Sequence, residues 1–347
     1  MHRNWIDCLV IKSHNFTIMA IALERRQLIE SWLGDQFPDR PFALEAASED
    51  ASFRRYFRAI FADGSLIVMD APPAHEDCRP FVRVAQIFGE AGVHLPRVIS
   101  QDLERGFLLL SDLGSTTYLE VLNESNADAL YGDAVDALVR IQLASRPGVL
   151  PEYDAALLRR EMGLFPEWYL GRHLGTEPGE KQAAILEQVF SCLVRNNLSQ
   201  PRAYVHRDYH SRNLMLANPN PGILDFQDAV YGPITYDLVS LFRDAYVAWE
   251  EERVLDWVIR YWEKAKKAGL PVTSDFAEFY RDFEWMGAQR QLKVVGIFSR
   301  LHHRDGKARY LDDIPLVLSY LKKTCARYAE LSPVLRLVDK IEVRTTF

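Results

Sequence analysis

The sequence contains no apolar run approaching the roughly 20 residues that a membrane-crossing helix needs, so a helical membrane protein is not expected. Cysteine is scarce. Cys8, Cys78, Cys192 and Cys325 are scattered, with neither metal-ligand spacing nor the density of a disulfide scaffold, which predicts reduced thiols and a cytoplasmic setting. Excess positive charge is also missing: 41 Lys and Arg stand against 48 Asp and Glu, a net charge of -7. That sign is wrong for a surface that grips a nucleic-acid backbone. Internal repeats and low-complexity tracts are absent. Near the start, Lys12, His14 and Asn15 interrupt any apolar segment of a secretory signal, and no small-residue cleavage site follows. Residues 1–20 therefore read as an extension upstream of a functional start at Met19 and are expected to be poorly ordered.

What is present points to an enzyme. A chain of 347 residues, 48% of them hydrophobic, buries a large core and is expected to split into two lobes. Its most informative stretch runs from Ala203 to Asp225. Asp208 precedes Asn213 by five positions, and two short apolar runs flank Asn218-Pro219-Asn220-Pro221-Gly222, almost pure turn chemistry. That pattern predicts a hairpin. Extended at about 3.3 Å per residue, Asn213 and Asp225 would lie far apart; folded back, they meet beside Asp208. Phosphoryl transfer needs such a set: a carboxylate to orient and deprotonate a hydroxyl, and oxygen ligands for the magnesium that neutralises phosphate charge. Asp208 is assigned as base, Asn213 and Asp225 as metal ligands, with ATP and Mg2+ as cofactors. Histidine, aspartate and asparagine often merely cap turns, but the ordered set ending in Asp225-Phe226-Gln227-Asp228 argues otherwise.

These motifs, with Pro233-Ile234-Thr235-Tyr236-Asp237-Leu238 behind them, resemble the aminoglycoside phosphotransferase-like kinases, small-molecule kinases with the protein-kinase fold. Within that family the wording is most similar to the anomeric kinases of cell-wall recycling, which phosphorylate the C1 hydroxyl of N-acetylmuramate and N-acetylglucosamine. The resemblance implies an α+β fold: a small antiparallel-sheet lobe over residues 21–111 and a larger helical lobe over 112–347. It also implies an amino-sugar acceptor, a sugar-1-phosphate uridylyltransferase as recipient of the product, and a bracing role for Asp237, which sits where a helix N-cap would.

The first lobe departs from the kinase pattern. The segment Glu45–Ser52 occupies the place of the nucleotide flap without a glycine; Ser48, Asp50 and Ser52 are its candidate phosphate contacts, and a plain polar turn is the alternative. The strand Ser65–Met69 lacks the phosphate-binding lysine, its place falling on Met69 or Asp70, and Arg79–Phe88 lacks the partner glutamate. Either the protein is catalytically dead, or a flap arginine, Arg54 or Arg55, supplies the charge. The retained base and metal ligands favour the second. Ser111 to Gly114 reads as an interlobe hinge, with Ser111 and Leu113 as main-chain contacts for adenine.

Helical periodicity dominates the rest. Leu130, Ala134, Leu138 and Ile141 form one stripe; Leu238, Leu241, Phe242, Ala245, Tyr246 and Trp249 another. The basic run Arg290–Arg309, including Lys293, Arg300 and His303, disfavours a cationic acceptor and suits a carboxylate-bearing sugar, although charge runs are usually solvated faces. Arg207, Tyr209, His210, Trp168, Arg300 and His303 are the candidate acceptor contacts. A kinase for another small alcohol (an aminoglycoside, an amino alcohol or a hydroxylated amino acid) is the rival reading.

Overall fold

The computed structural model describes residues 23–49 and 53–345; the extension at residues 1–20 and the flap candidates Asp50 and Ser52 lie outside them. The chain forms two compact units, one ending at Val82 and resuming over Pro96–Asp112, the other comprising Arg83–Leu95 and everything from Leu113. Residues 83–95, inside the span expected for the first lobe, thus group with the second.

The first unit is an antiparallel sheet backed by helix α1 (residues 23–36). Strands β1 (Ala43–Glu49), β2 (Arg55–Phe61), β3 (Gly64–Asp70), β4 (Val98–Asp102) and β5 (Phe107–Ser111) lie in the order β1-β2-β3-β5-β4. Alternation places Phe57, Ala59 and Phe61 of β2 and Phe107 and Leu109 of β5 on one face, where Ile29, Trp32 and Leu33 of α1 cover them. Leu23 and Leu28 of the same helix are exposed. The turn after Phe61 is two residues long, Ala62 and Asp63, with Gly64 opening β3 opposite Phe61. The place of the missing lysine is inverted in charge: Asp70 is fully buried and held by Arg25 of α1 and Arg55 of β2. A buried carboxylate requires such partners.

In the second unit, helix α2 (Arg79–Glu90) ends and α3 (Tyr118–Val121), α4 (Ala127–Leu143), α5 (Ala155–Met162), a π-helix (Phe165–His173) and α6 (Glu180–Ser199) follow. Two small ladders come next, pairing β6 (Arg202–Val205) with β9 (Val230–Pro233) and β7 (Leu214–Met215) with β8 (Gly222–Ile223). Helices α7 (Tyr236–Phe242), α8 (Glu251–Ala268), α9 (Phe276–Asp305), a 3-10 turn (Ala308–Leu311), α10 (Ile314–Arg327) and α11 (Ser332–Thr345) complete it. The α4 stripe is buried as expected. The second stripe is cut short: α7 stops at Phe242, and Ala245, Tyr246 and Trp249 lie in the following loop. The cause is the consecutive burial of Arg243, paired with Glu284, and Asp244, whose carboxylate turns to backbone N–H groups elsewhere.

Helix α9 is buried on nearly all sides from Phe283 to Leu301, the pattern of a central helix. Gly296 lets it approach residue 164 closely: a Cβ there would stand 2.5 Å from the Leu164 carbonyl carbon. Glycine to alanine inside a helix ordinarily gains about 1 kcal/mol. Here overpacking reverses the sign, and Gly296→Ala is expected to destabilise by about 1–3 kcal/mol. Thermal denaturation checks this, and a raised midpoint contradicts the close approach.

Candidate active site

The loop after β6 carries His206, Asp208 and Asn213, and its shape is imposed by buried carboxylates. Asp237, in the first turn of α7, accepts the main-chain N–H of His206 at 2.6 Å and of Arg207 at 2.9 Å. Arg207 there adopts φ +79°, a left-handed conformation that a non-glycine residue keeps only when its surroundings enforce it. Asp237 is not the N-cap; Thr235 is, and the Asp237 carboxylate is turned to the loop. Asp244 does the same at the other end, accepting from Ser211 N at 2.9 Å and from Tyr246 N at 3.1 Å.

His206 is fully buried, with Nε2 2.9 Å from the Leu224 carbonyl and Nδ1 3.3 Å from the Asp208 N–H. Only the neutral ring protonated at Nε2 satisfies both contacts. It ties the loop to the strand leading to Asp225, a structural role as expected.

The β7–β8 hairpin brings Asn213 and Asp225 together. Asn213 Nδ2 donates to the Asp208 carbonyl at 2.9 Å and lies 3.4 Å from Asp225 Oδ2, while Leu224 N donates to Asn213 O at 2.9 Å. Asp225 also has positive φ, +61°, and Gln227 Nε2 donates to its Oδ1 at 2.6 Å.

Beneath Asp208 lies a buried ionic cluster. Glu161 of α5 pairs with Arg207 and with Lys293 of α9 (3.3 Å), and it accepts from Tyr153 and, at 3.2 Å, from Gln289 Nε2; Lys293 also donates to Tyr236 Oη at 2.8 Å. Burial works to raise the carboxyl of Asp208, but the charges of Lys293, His210, Arg290 and Arg207 outweigh it and hold it below the usual carboxylate range. Asp208 is thus ionised near neutral pH, and the residue as a whole keeps partial exposure.

The loop–hairpin framework thus ties the Asp208 main chain, the Asn213 amide and the Asp225 carboxylate together. The model of the phosphotransferase enzyme family matches residues 43–276. This chain belongs to that family. The phosphotransferase is 53% identical over 327 residues to an N-acetylmuramate/N-acetylglucosamine kinase of Pseudomonas aeruginosa, covering 91% of this chain and 97% of the relative. A protein of the same name from Neisseria meningitidis is 50% identical, covering 94% and 99%. Its fold is similar to that of a choline kinase from Streptococcus pneumoniae, at TM-score 0.60 and 12% identity over 86% of this chain and 99% of that one. An ADP-bound aminoglycoside phosphotransferase gives TM-score 0.54 at 15% identity, covering 85% and 98%.

The phosphotransferase has oxygen donors suited to magnesium. The amide nitrogen of Asn213 is committed to the Asp208 carbonyl and faces Asp225 Oδ2, so its amide oxygen is the atom left for a metal. No cluster of three His, Cys, Asp or Glu with metal-site geometry occurs among the described residues. A two-residue oxygen set is what Mg2+ takes from protein, since it keeps waters and substrate phosphates as its other ligands.

Several expected contacts lie elsewhere. Tyr209 is fully buried, its hydroxyl donating to the Ala134 carbonyl at 2.7 Å, so it is a core residue and not an acceptor contact. Arg207 is committed to Glu161. Trp168, Arg300 and His303 make no hydrogen bond, ion pair or ring contact with residues 206–213 among the described residues; His303 faces His173 instead, at 3.3 Å. In the first unit, Arg55 engages Asp70 and Arg54 reaches Glu76 at 3.2 Å, so both proposed substitutes for the missing lysine are already paired with acids. Ser48 lies in β1, where its backbone pairs with Tyr56. The Ser111 N–H is used by the Arg97 carbonyl at 3.0 Å, which removes it as an adenine donor, and Leu113 packs against Gly222 of the hairpin. Sequence reading missed Glu161, Asp244 and Gln227, and it read Lys293 as one of a basic run toward the acceptor, with a solvated face as the alternative, not as a buried partner of Glu161. The available signal was a lone charge in an apolar stretch, as in Gln291-Leu292-Lys293-Val294-Val295.

Burial pushes the His206 imidazole from its ordinary value near 6.5 down to about 4, against the opposing charge of Asp208. The unfolded chain therefore takes up a proton that the folded one refuses between about pH 6.5 and 4. This stabilising contribution is complete above pH 6.5 and decays as pH falls through that window, by about 3 kcal/mol in all. Asp237, raised by burial to about 7, has the opposite slope, so the ring itself is the cleaner probe. Nitrogen NMR of labelled histidine is expected to show His206 neutral and Nε2-protonated at pH 5.5; protonation near pH 6.5 contradicts the assignment.

Proposed function

We propose that this phosphotransferase transfers the γ-phosphoryl group of ATP to the anomeric hydroxyl of N-acetylmuramate and of N-acetylglucosamine. The observation that carries the reaction type is the convergence of Asp208, Asn213 and Asp225 at one end of the hairpin. Support for the acceptor comes from relatives of that name, 49–53% identical over more than nine-tenths of the chain. The buried charges of Lys293 and Arg290 near Asp208 weigh in the same direction, since they would repel a cationic acceptor.

In this mechanism the Asp208 carboxylate accepts a hydrogen bond from the acceptor hydroxyl and aims its oxygen at phosphorus. A base of such low proton affinity takes the proton late, which suits a loose transition state in which the attacking oxygen carries little new bonding. Asn213 and Asp225 would hold Mg2+, which supplies neutralisation of phosphate charge. Gln227 fixes the rotation of the Asp225 carboxylate, and His206 keeps the loop seated on the strand beneath. The product, a sugar 1-phosphate, would be the substrate of a uridylyltransferase.

ADP release measured against a panel of acceptors tests the proposal: turnover is expected with both N-acetylated sugars and not with aminoglycosides or choline. Asp208→Asn is expected to lower kcat by about 10²–10⁴-fold while nucleotide affinity stays within a few-fold. Phosphorylation confined to a cationic acceptor, or nucleotide binding with no turnover on any acceptor, contradicts the reading.

A further inference from the structure

Between the base and the amide ligand, the catalytic loop has four residues, and two of them are core. Tyr209 and Ser211 are fully buried; His210 and Arg212 keep partial exposure. Arg212 is held in an unusual way. Its guanidinium lies over the ring of Tyr246, 3.7 Å from the centroid, with the ring of Tyr310 at 5.9 Å, and among the described residues it makes no ion pair and no hydrogen bond. Its charge acts on Asp313, which lies beyond ion-pair distance, and on His210.

Stacking fixes the plane of a guanidinium while leaving its in-plane N–H donors directed outward, the arrangement that takes a carboxylate bidentately. Three other arginines of this unit have donors engaged, Arg207 by Glu161, Arg243 by Glu284 and Thr324, and Arg202 by Glu152 and the Tyr231 carbonyl, whereas Arg212 has none engaged among the described residues. Position adds to the case. The ring of Tyr246 that carries Arg212 also meets the His210 ring at 5.5 Å, and His210 N donates to the Asp208 carbonyl at 3.1 Å, so two rings link Arg212 to the residue that would receive the hydroxyl proton. The two acceptors under the proposed function differ in one charged group: N-acetylmuramate has a lactyl carboxylate on its 3-oxygen and N-acetylglucosamine has a hydroxyl there.

We infer that Arg212, stacked on Tyr246, is the residue that recognises the carboxylate of N-acetylmuramate and sets the preference between the two sugars. The inference rests on the proposed acceptors, and its test separates the two claims. Wild-type turnover of both sugars is the measure of the acceptor assignment, and its absence on either overturns the inference along with it. The selectivity of variants is the measure of Arg212. Arg212→Gln is expected to lower the ratio of kcat/KM for N-acetylmuramate over N-acetylglucosamine at least tenfold, mainly through a higher KM for the acid sugar, and Arg212→Lys to recover part of it. With the wild-type enzyme, the methyl ester of N-acetylmuramate is expected to show the same rise in KM, a measurement independent of any variant's folding. A ratio unchanged within twofold, whatever the absolute loss, or an ester that performs like the free acid, overturns the assignment.

Discussion

The catalytic geometry depends on one buried carboxylate. Asp237 receives two consecutive main-chain N–H groups, and with them it holds Arg207 in a left-handed conformation that the chain would otherwise leave. Everything downstream inherits that constraint: the direction of Asp208, the seat of His206 on the Leu224 carbonyl, and the point from which the loop runs to Asn213. Asp244 anchors the far end in the same manner. Strain between two anchors is how a loop of eight residues becomes as defined as a strand.

The second ingredient is buried charge. Glu161 offsets Arg207 and Lys293, and the excess positive field falls on Asp208. Desolvation alone would drive that carboxyl toward neutrality and silence it as an acceptor for a hydroxyl proton. The cluster reverses this outcome and keeps the group ionised. Removing one member of such a cluster would leave an unpaired buried charge, which explains why charges sit in a helix as enclosed as α9.

Much of this was legible in the sequence. The proline-rich turn between Asn213 and Asp225 gave the hairpin and the meeting of those two residues, because turn residues have narrow roles. The α4 stripe was readable from its apolar spacing at steps of three and four. The α7 stripe misled: apolar spacing continued to Trp249, but periodicity is blind to the buried Arg243 and Asp244 that end the helix. Tyr209 was misplaced because a loop residue beside Asp208 looks accessible, and only the packing against Ala134 shows otherwise. Glu161 is more than 40 residues from Arg207 in sequence and 132 from Lys293, and no local pattern joins them.

The role of Asp237 as the brace is tested most directly by Asp237→Asn. The amide would offer one acceptor and turn a donor toward a donor, breaking one buried hydrogen bond, a loss of about 1–3 kcal/mol. With folding monitored by circular dichroism at the assay temperature, kcat is expected to fall at least tenfold while the protein stays folded; a folded variant with kcat within twofold of the wild type would contradict the account.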